Sequence, residues 1–207
     1  SESNIANFGG YCCYLSDKLP QFQVIYKDYN GSESNLTSHT VSCGQKADAS
    51  ICDYTGDLIF KQSIYEEKGE RIPLSIYQTY HSARKNVLGI GGWGRHMSFE
   101  KSLKKTDCYY IYTDSNAVEH YFKIVNSENE LSDEDDLGYK LKIQNDEITI
   151  ESDRIETYDI PNDNETTYIK SESDSDNSNN TITYTYDSSG YLTQITSTLH
   201  TYRIYYN

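Results

Sequence analysis

Hydrophobic and polar side chains alternate with a period of two along much of the chain, which is the pattern of β-strands. The clearest run covers residues 74–79, where every second side chain points to the same face. A polar break at residues 81–86 follows, and a second alternating run covers residues 97–103. This region is therefore predicted to form two strands joined by a wide connection.

Glycines surround the only tryptophan, Trp93, inside that connection, and Gly91 and Gly92 directly precede it. Glycine lets a backbone pass close beside a large side chain or adopt a positive φ angle. We expect Gly91 and Gly92 to bring the backbone close to the indole ring or to adopt a positive φ angle. We also expect Trp93 to be the largest single buried side chain of this region.

Similar alternating runs, separated by polar turns, predict further strands. They cover residues 9–14, 21–29, 58–62, 108–113, 118–125, 139–143, 147–150 and 154–160. Three polar stretches are predicted to lie outside strands: 30–50 as a loop or irregular crossing, 126–136 as an acidic surface loop, and 171–180 as a polar bridge or hairpin tip. The expected fold is all-β, with an N-terminal β segment over 1–50 and a β region around Trp93 over 51–125.

The last stretch of the chain is the most regular. A turn at residues 188–190 joins an alternating run at 181–187 to a second run that begins at Tyr191. The step of three residues from Leu192 to Ile195 breaks the period of two, as a β-bulge does. Twenty residues after the first run, Tyr202, Ile204, Tyr206 and Asn207 repeat the positions of Ile182, Tyr184, Tyr186 and Asp187. A period near twenty predicts one hairpin per repeat.

Composition favours broad, half-solvated sheet faces. The 207 residues include 21 tyrosines against 5 phenylalanines. Tyrosine suits a sheet because its ring packs on the pleated face while its hydroxyl reaches water or a partner. A chain of this length buries roughly 70% of its unfolded surface, so its stability need not depend on disulfides or metals.

The formal net charge of −14 limits the expected partners. Phosphate backbones and anionic membrane surfaces repel such a polyanion, so neither nucleic acid nor a membrane is expected as a partner. A basic partner or calcium is compatible with this charge. No run of about 18 apolar residues is present, and no membrane span is predicted.

The five cysteines form neither a C-x-x-C pair nor a zinc-binding spacing. Cys43 and Cys52 lie close enough in sequence to suggest a disulfide, and two buried thiols are the alternative. Four N-glycosylation sequons are compatible with secretion. We therefore expect an extracellular or cell-surface location.

Residues with catalytic or ligand-binding potential are scattered. The five histidines lack a metal-ligand spacing, and the glycine cluster lacks the lysine and serine or threonine of a phosphate loop, so no cofactor is expected. Asp133, Glu134, Asp135 and Asp136 are candidate Ca²⁺ ligands because this ion takes oxygen ligands in flexible loops. A solvated acidic turn is the alternative. Exposed tyrosines could stack on sugars, and tyrosine packing within a sheet explains them equally well.

The pattern Tyr184-x-Tyr186-Asp187-x-x-Gly190-x-Leu192-x-x-Ile195 resembles one unit of the YD repeat of Rhs proteins, which also occurs in teneurins and toxin-complex shell subunits. Upstream motifs follow in an order similar to that preceding the repeats in wall-associated Rhs proteins of Gram-positive bacteria. These motifs are Tyr26-Lys27, Asp53-Tyr54-Thr55-Gly56-Asp57-Leu58, Arg71-Ile72-Pro73-Leu74-Ser75-Ile76, Tyr80-His81-Ser82, Gly91-Gly92-Trp93, Glu119-His120-Tyr121-Phe122 and Asp133-Glu134-Asp135-Asp136-Leu137-Gly138. The resemblance covers roughly residues 19–207 and assigns residues 126–207 to YD-repeat-like hairpins.

The resemblance implies a curved, spiral sheet of consecutive antiparallel hairpins, which in long family members winds into a hollow shell around a toxin or other cargo. It implies structural roles for Trp93 and for the residues of the repeat unit. The chain is therefore expected to be a secreted, non-enzymatic structural module, a scaffold or shell segment of a bacterial cell-surface or toxin-delivery protein. Two alternatives are a surface fibre subunit that self-associates through sheet edges, and an adhesion module that binds a cell-surface glycan or receptor. A third alternative is that the chain is an enzyme.

Overall fold

The computed structural model describes residues 36–67, 72–125, 127–176 and 180–206, together with the backbone of two N-terminal strands. The regular structure of these residues consists of β-strands that pair antiparallel, which confirms the predicted all-β fold of consecutive hairpins. The described residues contain no helix long and apolar enough to cross a membrane.

The strands follow one another at short intervals. In chain order they are β1 (Tyr11–Tyr14), β2 (Phe22–Ile25), β3 (Ser38–Ser42), β4 (Ala47–Cys52), β5 (Leu58–Glu66), β6 (Ser75–His81), β7 (Leu88–Gly89), β8 (Gly92–Trp93), β9 (Arg95–Met97), β10 (Ser102–Lys105), β11 (Tyr109–Thr113), β12 (Glu119–Lys123), β13 (Glu130–Ser132), β14 (Lys140–Gln144), β15 (Glu147–Glu151), β16 (Arg154–Asp159), β17 (Thr166–Tyr168), β18 (Ser171–Asp174), β19 (Thr181–Tyr186), β20 (Leu192–Thr196) and β21 (Thr201–Arg203).

Within the described part of the chain these strands form three larger sheets and two two-stranded ladders. The five-stranded sheet has the order β3-β4-β5-β6-β9, the four-stranded sheet β12-β11-β10-β17, and the eight-stranded sheet β13-β14-β15-β16-β18-β19-β20-β21. The two ladders are β1-β2 and β7-β8. Most neighbours in a sheet are also neighbours in sequence, as consecutive hairpins require.

One hydrophobic core joins the four-stranded and eight-stranded sheets. Its fully buried side chains include Leu103 and Phe122 from the first sheet and Leu141, Ile148 and Ile195 from the second. In β15 the buried residues Ile148 and Ile150 alternate with partly exposed ones, so this strand turns one face to the core. Burial of each such side chain stabilises the fold by roughly 1.5–3 kcal/mol.

Two predicted hairpins are confirmed together with their turns. Strands β11 and β12 are joined by the turn after Thr113, where the Asp114 carboxylate accepts the backbone N–H groups of Asn116 and Val118. Strands β14 and β15 are joined by Asn145 and Asp146, whose φ angles are 51° and 64°. Both polar residues tolerate the positive φ that a two-residue hairpin turn needs.

The prediction of a loop over residues 30–50 was wrong, because β3 and β4 form a hairpin there. Strand β3 is solvent-exposed along its whole length, so it carries no apolar alternation that would reveal it. The stretches 126–136 and 171–180 also contain strands. Leu131 of β13 is buried in the core, and β18 pairs with strands on both sides.

The predicted disulfide between Cys43 and Cys52 is also wrong, because Cys43 is a free, exposed thiol in the structure. In the β3–β4 hairpin, Ser38 pairs with Cys52 and Ser42 pairs with Asp48. Cys43 therefore lies at the turn and Cys52 at the open end of the hairpin, roughly 15 Å apart at 3.3 Å per residue. A disulfide requires Cα atoms closer than about 7 Å. Cys108, by contrast, is disulfide-bonded.

Cys43 is expected to react readily with thiol reagents, because its side chain is exposed. Alkylation of the folded, non-reduced protein followed by peptide mass spectrometry should modify Cys43 within minutes. Cys43→Ser should remove this fast reaction. Protection of Cys43 in the denatured, non-reduced protein would contradict this assignment.

Trp93 is exposed, contrary to its predicted burial. It pairs with Leu88 across the β7–β8 ladder and points away from the core. The glycines do bring the backbone close to neighbouring groups, but these groups are Tyr80, Arg95 and Gln78 and not the indole. A Cβ at Gly94 would lie 2.8 Å from the Tyr80 ring, and Gly94 has φ +69°.

Candidate functional site

The turn predicted between the runs at residues 181–187 and from Tyr191 onward is present. Asp187 Oδ1 accepts the N–H groups of Ser189 at 2.8 Å and Tyr191 at 3.0 Å, which closes the turn between β19 and β20. Gly190 has φ +82°, where a side chain would be strained. The aspartate and the glycine of the unit therefore both serve the turn.

The apolar positions of the unit face the core. Tyr184 and Leu192 are buried in it, and Tyr186 packs against it from the side. The Tyr184 hydroxyl donates to Glu172, and the Tyr186 hydroxyl donates to the carbonyl of Ile169 at 3.0 Å. The ring of each tyrosine thus adds to the core while its hydroxyl bonds to the neighbouring strand or the segment before it.

The predicted bulge is also present, and one further strand follows it. Thr185 pairs with Gln194 and Tyr186 with Leu192, which leaves Thr193 as the extra residue. After the bulge, β21 joins the same sheet and places Tyr202 and Ile204 against the core. They occupy the positions that Ile182 and Tyr184 occupy one repeat earlier.

Substitution of Asp187 tests whether its carboxylate stabilises the turn between β19 and β20. Asp187→Ala should lower the free energy of unfolding by about 1–2 kcal/mol, because two backbone N–H groups lose a charged acceptor. Asp187→Asn keeps an acceptor oxygen and should cost clearly less, and Ser189→Ala is the neutral control. The measurement is chemical denaturation. Equal losses in the alanine and asparagine variants would contradict the proposed role.

A cluster of buried charges lies where the four-stranded and eight-stranded sheets meet. Lys101, just before β10, places its Nζ 2.6 Å from Glu156 Oε1 and 3.1 Å from Glu172 Oε1. Glu156 and Glu172 pair directly across β16 and β18, so their side chains share a face. Arg154 donates to Glu172 Oε2 at 2.9 Å. Two cations thus neutralise two carboxylates.

Buried tyrosines complete the hydrogen bonding of this cluster. Tyr112 and Tyr158 donate to Glu156 Oε2 at 2.9 and 2.7 Å, and Tyr184 donates to Glu172 Oε1. All four carboxylate oxygens of the two glutamates therefore accept hydrogen bonds. Buried charges need this degree of pairing, because unpaired ones cost several kcal/mol.

The neighbouring charges fix the ionisation of the cluster. Burial by itself lowers the pKa of Lys101, but the carboxylates of Glu156 and Glu172 outweigh it and raise that pKa above its ordinary value. Burial by itself raises the pKa of Glu172, but Lys101, Tyr184 and Arg154 outweigh it and lower that pKa to about 2. At neutral pH the lysine is charged and Glu172 is ionised.

A cleft of about 210 Å³ opens beside the cluster. Tyr77, Tyr139 and Ser115 line it together with the charged residues of the cluster. General acid–base chemistry needs a carboxyl group that can gain or lose a proton near neutral pH. Glu172 is held ionised and every carboxylate oxygen is engaged, so the arrangement suits a structural role better than catalysis.

A second buried cluster contains His120 between two carboxylates. Its Nε2 lies 3.6 Å from Asp114 Oδ2 and its Nδ1 lies 3.6 Å from Asp133 Oδ2. The Tyr139 ring lies 4.1 Å from the imidazole ring, centroid to centroid. Burial by itself lowers the pKa of His120, but the two aspartates outweigh it and raise that pKa above its ordinary value.

The acidic residues of the segment 133–136 lie in different surroundings. Asp133 is buried and faces His120, Glu134 accepts the Tyr109 hydroxyl, and Asp136 lies in a turn with φ 55°. In the described parts of the chain, no group of three or more histidine, cysteine, aspartate or glutamate residues is placed to hold a metal ion. Asp133 also differs from the predicted solvated turn, because its carboxylate belongs to the core.

Ser82, His81 and Asp57 lie together but do not form a nucleophilic triad. The Ser82 hydroxyl donates to Asp57 Oδ1 at 2.5 Å, and His81 Nε2 lies 3.0 Å from the carbonyl of Asn116. In a triad the serine hydroxyl would instead donate to the histidine. Asp57 also accepts the N–H of Ala83, so this group holds the end of β6 against the start of β5.

No family model matches the chain, and no curated protein matches it. Function is therefore inferred from the residues and their geometry.

Sequence reasoning missed the buried charge cluster, although the alternating pattern contained a signal for it. In β16, Glu156 and Tyr158 occupy alternate positions that face the core, and in β18 the same holds for Glu172 and Asp174. A carboxylate in an apolar position of a strand indicates a buried ion pair or a site. The partner Lys101 lies 55 residues before Glu156, which the sequence alone could not reveal.

Proposed function

We propose that this chain is a non-enzymatic, secreted structural module of the Rhs/YD-repeat type, serving as a scaffold or shell segment of a bacterial cell-surface or toxin-delivery protein. The observation that carries the proposal is the twenty-residue repeat, which adds β19, β20 and β21 to one sheet in succession. Such a unit can extend a wall without adding a new core.

Equivalent tyrosines support this view of the repeat. The Tyr186 hydroxyl donates to the carbonyl of Ile169 at 3.0 Å, and the Tyr206 hydroxyl donates to the carbonyl of Leu192 at 3.0 Å. Each bond ties one repeat to backbone that precedes it by 17 or 14 residues. The same device at both positions fits a sheet that grows hairpin by hairpin, which is the basis for a curved, spiral wall.

The buried charge cluster supports a structural role over an enzymatic one, because its groups neutralise one another. The disulfide at Cys108 supports an oxidising compartment, since such bonds persist outside the cytosol. A secreted scaffold meets both conditions.

Location and activity test the proposal together. Antibodies against the chain should label the outer surface of intact producing cells or their secreted particles in electron micrographs. A panel of glycans, peptides and esters should give no turnover, with Glu172→Gln as the matched control for any signal. Label confined to the cytosol, or turnover that Glu172→Gln abolishes, would contradict the proposal.

The fibre alternative is favoured by one specific feature, the edge strand β21. The Ile204 N–H bonds to the Thr193 carbonyl inside the sheet, so the alternate residue Arg203 points its own N–H outward. Tyr205, the next residue with this orientation, is highly exposed. An edge of this kind is a template for another strand.

A proline substitution in the edge strand β21 distinguishes the fibre hypothesis from the scaffold hypothesis. Arg203→Pro removes an outward N–H and no ladder bond, so it should leave the fold intact and abolish edge-to-edge assembly, while Arg203→Ala keeps the N–H. If the chain polymerises through β21, sedimentation velocity at high concentration should show large species for the wild type and the alanine variant only. The same distribution for all three proteins would exclude this edge.

A further inference from the structure

The β7–β8 ladder holds four large apolar side chains in water. Leu88 and Trp93, which pair across the ladder, are 65% and 63% exposed. Ile90 and Val87 beside them are 47% and 46% exposed. Single exposed apolar residues are common on proteins, but a contiguous group indicates a binding surface. We call residues 87–94 the apolar hairpin.

The apolar hairpin is held in a defined position. Gly94 donates its N–H to the Val87 carbonyl, and its own carbonyl accepts the His81 N–H. The Glu100 carboxylate accepts the N–H groups of Ile90 at 2.8 Å and Met97 at 2.6 Å. A Cβ at Gly89 would lie 2.1 Å from the Arg95 carbonyl oxygen, so the backbone packs against β9 as closely as possible. The exposure is therefore built into the fold.

Three cations and one carboxylate lie at the base of the apolar hairpin, in a chain of net charge −14. Arg84 and Arg95 line a groove of about 140 Å³ together with Val87, Leu88 and Glu100, so the cations outnumber the carboxylate there. The Lys85 backbone lies next to Gly94, and its side chain is exposed.

The exposed apolar side chains of the hairpin and the cations beside them favour one of three partners: a glycan, a second copy of the chain or a lipid surface. Glycans stack on aromatic faces, and the hairpin offers one such ring, Trp93, while its other exposed apolar side chains, Val87, Leu88 and Ile90, are aliphatic. A second copy offers many carboxylates over residues 126–176, but the exposed large apolar residues described there are only Ile160 and Tyr168. An anionic lipid surface matches both features, because its interface takes tryptophan and aliphatic side chains and its headgroups attract lysine and arginine.

The net charge does not oppose such binding at the scale of the hairpin. At physiological ionic strength charges are screened beyond about 8 Å, so the headgroups respond mainly to the cations next to the tip. We propose that the apolar hairpin is a membrane-surface anchor: Trp93 and Leu88 enter the interface of an anionic lipid bilayer while Lys85 and Arg95 contact the headgroups. This binding goes beyond the structural role proposed above and does not depend on it.

Trp93 is itself the probe, because it is the only tryptophan in the chain. The full chain is mixed with phosphatidylcholine vesicles and with vesicles of equal parts phosphatidylcholine and phosphatidylglycerol. With the anionic vesicles we expect co-sedimentation and a shift of tryptophan emission to shorter wavelength. Raising the salt concentration should weaken the binding, since part of it is electrostatic.

Variants separate the tip from its cationic base. Trp93→Ala and Leu88→Ser should each weaken vesicle partitioning by about tenfold, and Lys85→Gln with Arg95→Gln by a similar factor on anionic vesicles only. Val41→Ser removes a comparably exposed side chain from β3, and Lys140→Gln removes an exposed cation from β14. Neither control should change binding. Denaturation of each variant verifies that the fold is kept.

Four outcomes overturn the proposal. The first is no co-sedimentation with either vesicle, and the second is binding that the Trp93 and Leu88 variants leave unchanged. The third is an emission shift that follows protein concentration without lipid, which identifies a second copy as the partner. The fourth is a shift produced by a glycan panel and not by vesicles.

Discussion

Lys101→Met should lower the free energy of unfolding by about 3–5 kcal/mol, the largest loss expected from a single substitution. Methionine matches the length of the lysine side chain but leaves Glu156 and Glu172 buried with only Arg154 to balance their two charges. The expected result is a clear fall in the midpoint of urea unfolding, measured by far-ultraviolet circular dichroism at pH 7.

Two further variants identify the cause of that loss. Lys142→Met removes a lysine that contacts Glu151 at 2.7 Å on a partly exposed strand, and it should cost much less stability than Lys101→Met, because water screens an exposed ion pair. Adding Glu156→Gln to Lys101→Met removes one of the two negative charges and should recover part of the stability. Equal losses for Lys101 and Lys142, or no recovery in the double variant, would contradict the role of the cluster.

Acidification from pH 7 to pH 4 should remove on the order of 3 kcal/mol of stability through His96 alone. Burial lowers the pKa of His96 from 6.5 to about 4, with the carbonyl of Asp114 and the nearby charges of Arg84 and His81 as smaller influences. In the unfolded chain His96 therefore binds a proton near pH 6.5, whereas in the folded chain it does so only near pH 4. The contribution is fully present above pH 6.5 and is lost as the pH falls through this window.

His96→Gln tests this assignment, because glutamine can still donate to the Asp114 carbonyl, which His96 Nε2 approaches at 3.0 Å. Urea unfolding at several pH values should show a shallower acid loss between pH 6.5 and 4.5 in the variant than in the wild type. Glu172 contributes to acid loss only below its ordinary pKa of 4.5, down to about 2. The histidine in β9 would not be responsible if both proteins lost stability in parallel between pH 6.5 and 4.5.

His120 changes stability with pH in the direction opposite to His96. Its raised pKa means that its contribution is fully present below pH 6.5 and is lost as the pH rises through the higher folded pKa. Asp114, whose pKa is lowered despite burial because His120 and two backbone N–H groups stabilise its charge, adds stability above its ordinary pKa. Comparison of the His96 variant with the wild type isolates one histidine from these effects.

The period of two predicted most of the strands, because each strand of the two core sheets turns one face inward. Short turns with polar or glycine residues, such as Asn145-Asp146 and Asp187 to Gly190, also followed from sequence. Ile204, which takes the position of Tyr184 twenty residues later, also packs against the core.

The missed elements have a common physical cause, because hydrophobicity does not report burial where polar groups are paired. Strand β18 was taken for a polar bridge, since its inward residues are Glu172 and Asp174. Glu172 is buried only because Lys101, Arg154 and Tyr184 reach it from other strands. For Trp93 the error is the reverse. Its hydrophobicity predicted burial, but the tight backbone packing of Gly89 and Gly94 holds the indole outside the core.

Cryo-electron microscopy of the native assembly in which this chain functions tests the proposed wall most directly. We expect the eight-stranded sheet to be extended at the β21 edge by antiparallel hairpins at intervals near twenty residues, which form a curved wall. A map in which Arg203 and Tyr205 at that edge face solvent and the neighbouring parts of the assembly fold as separate units would contradict the proposed function.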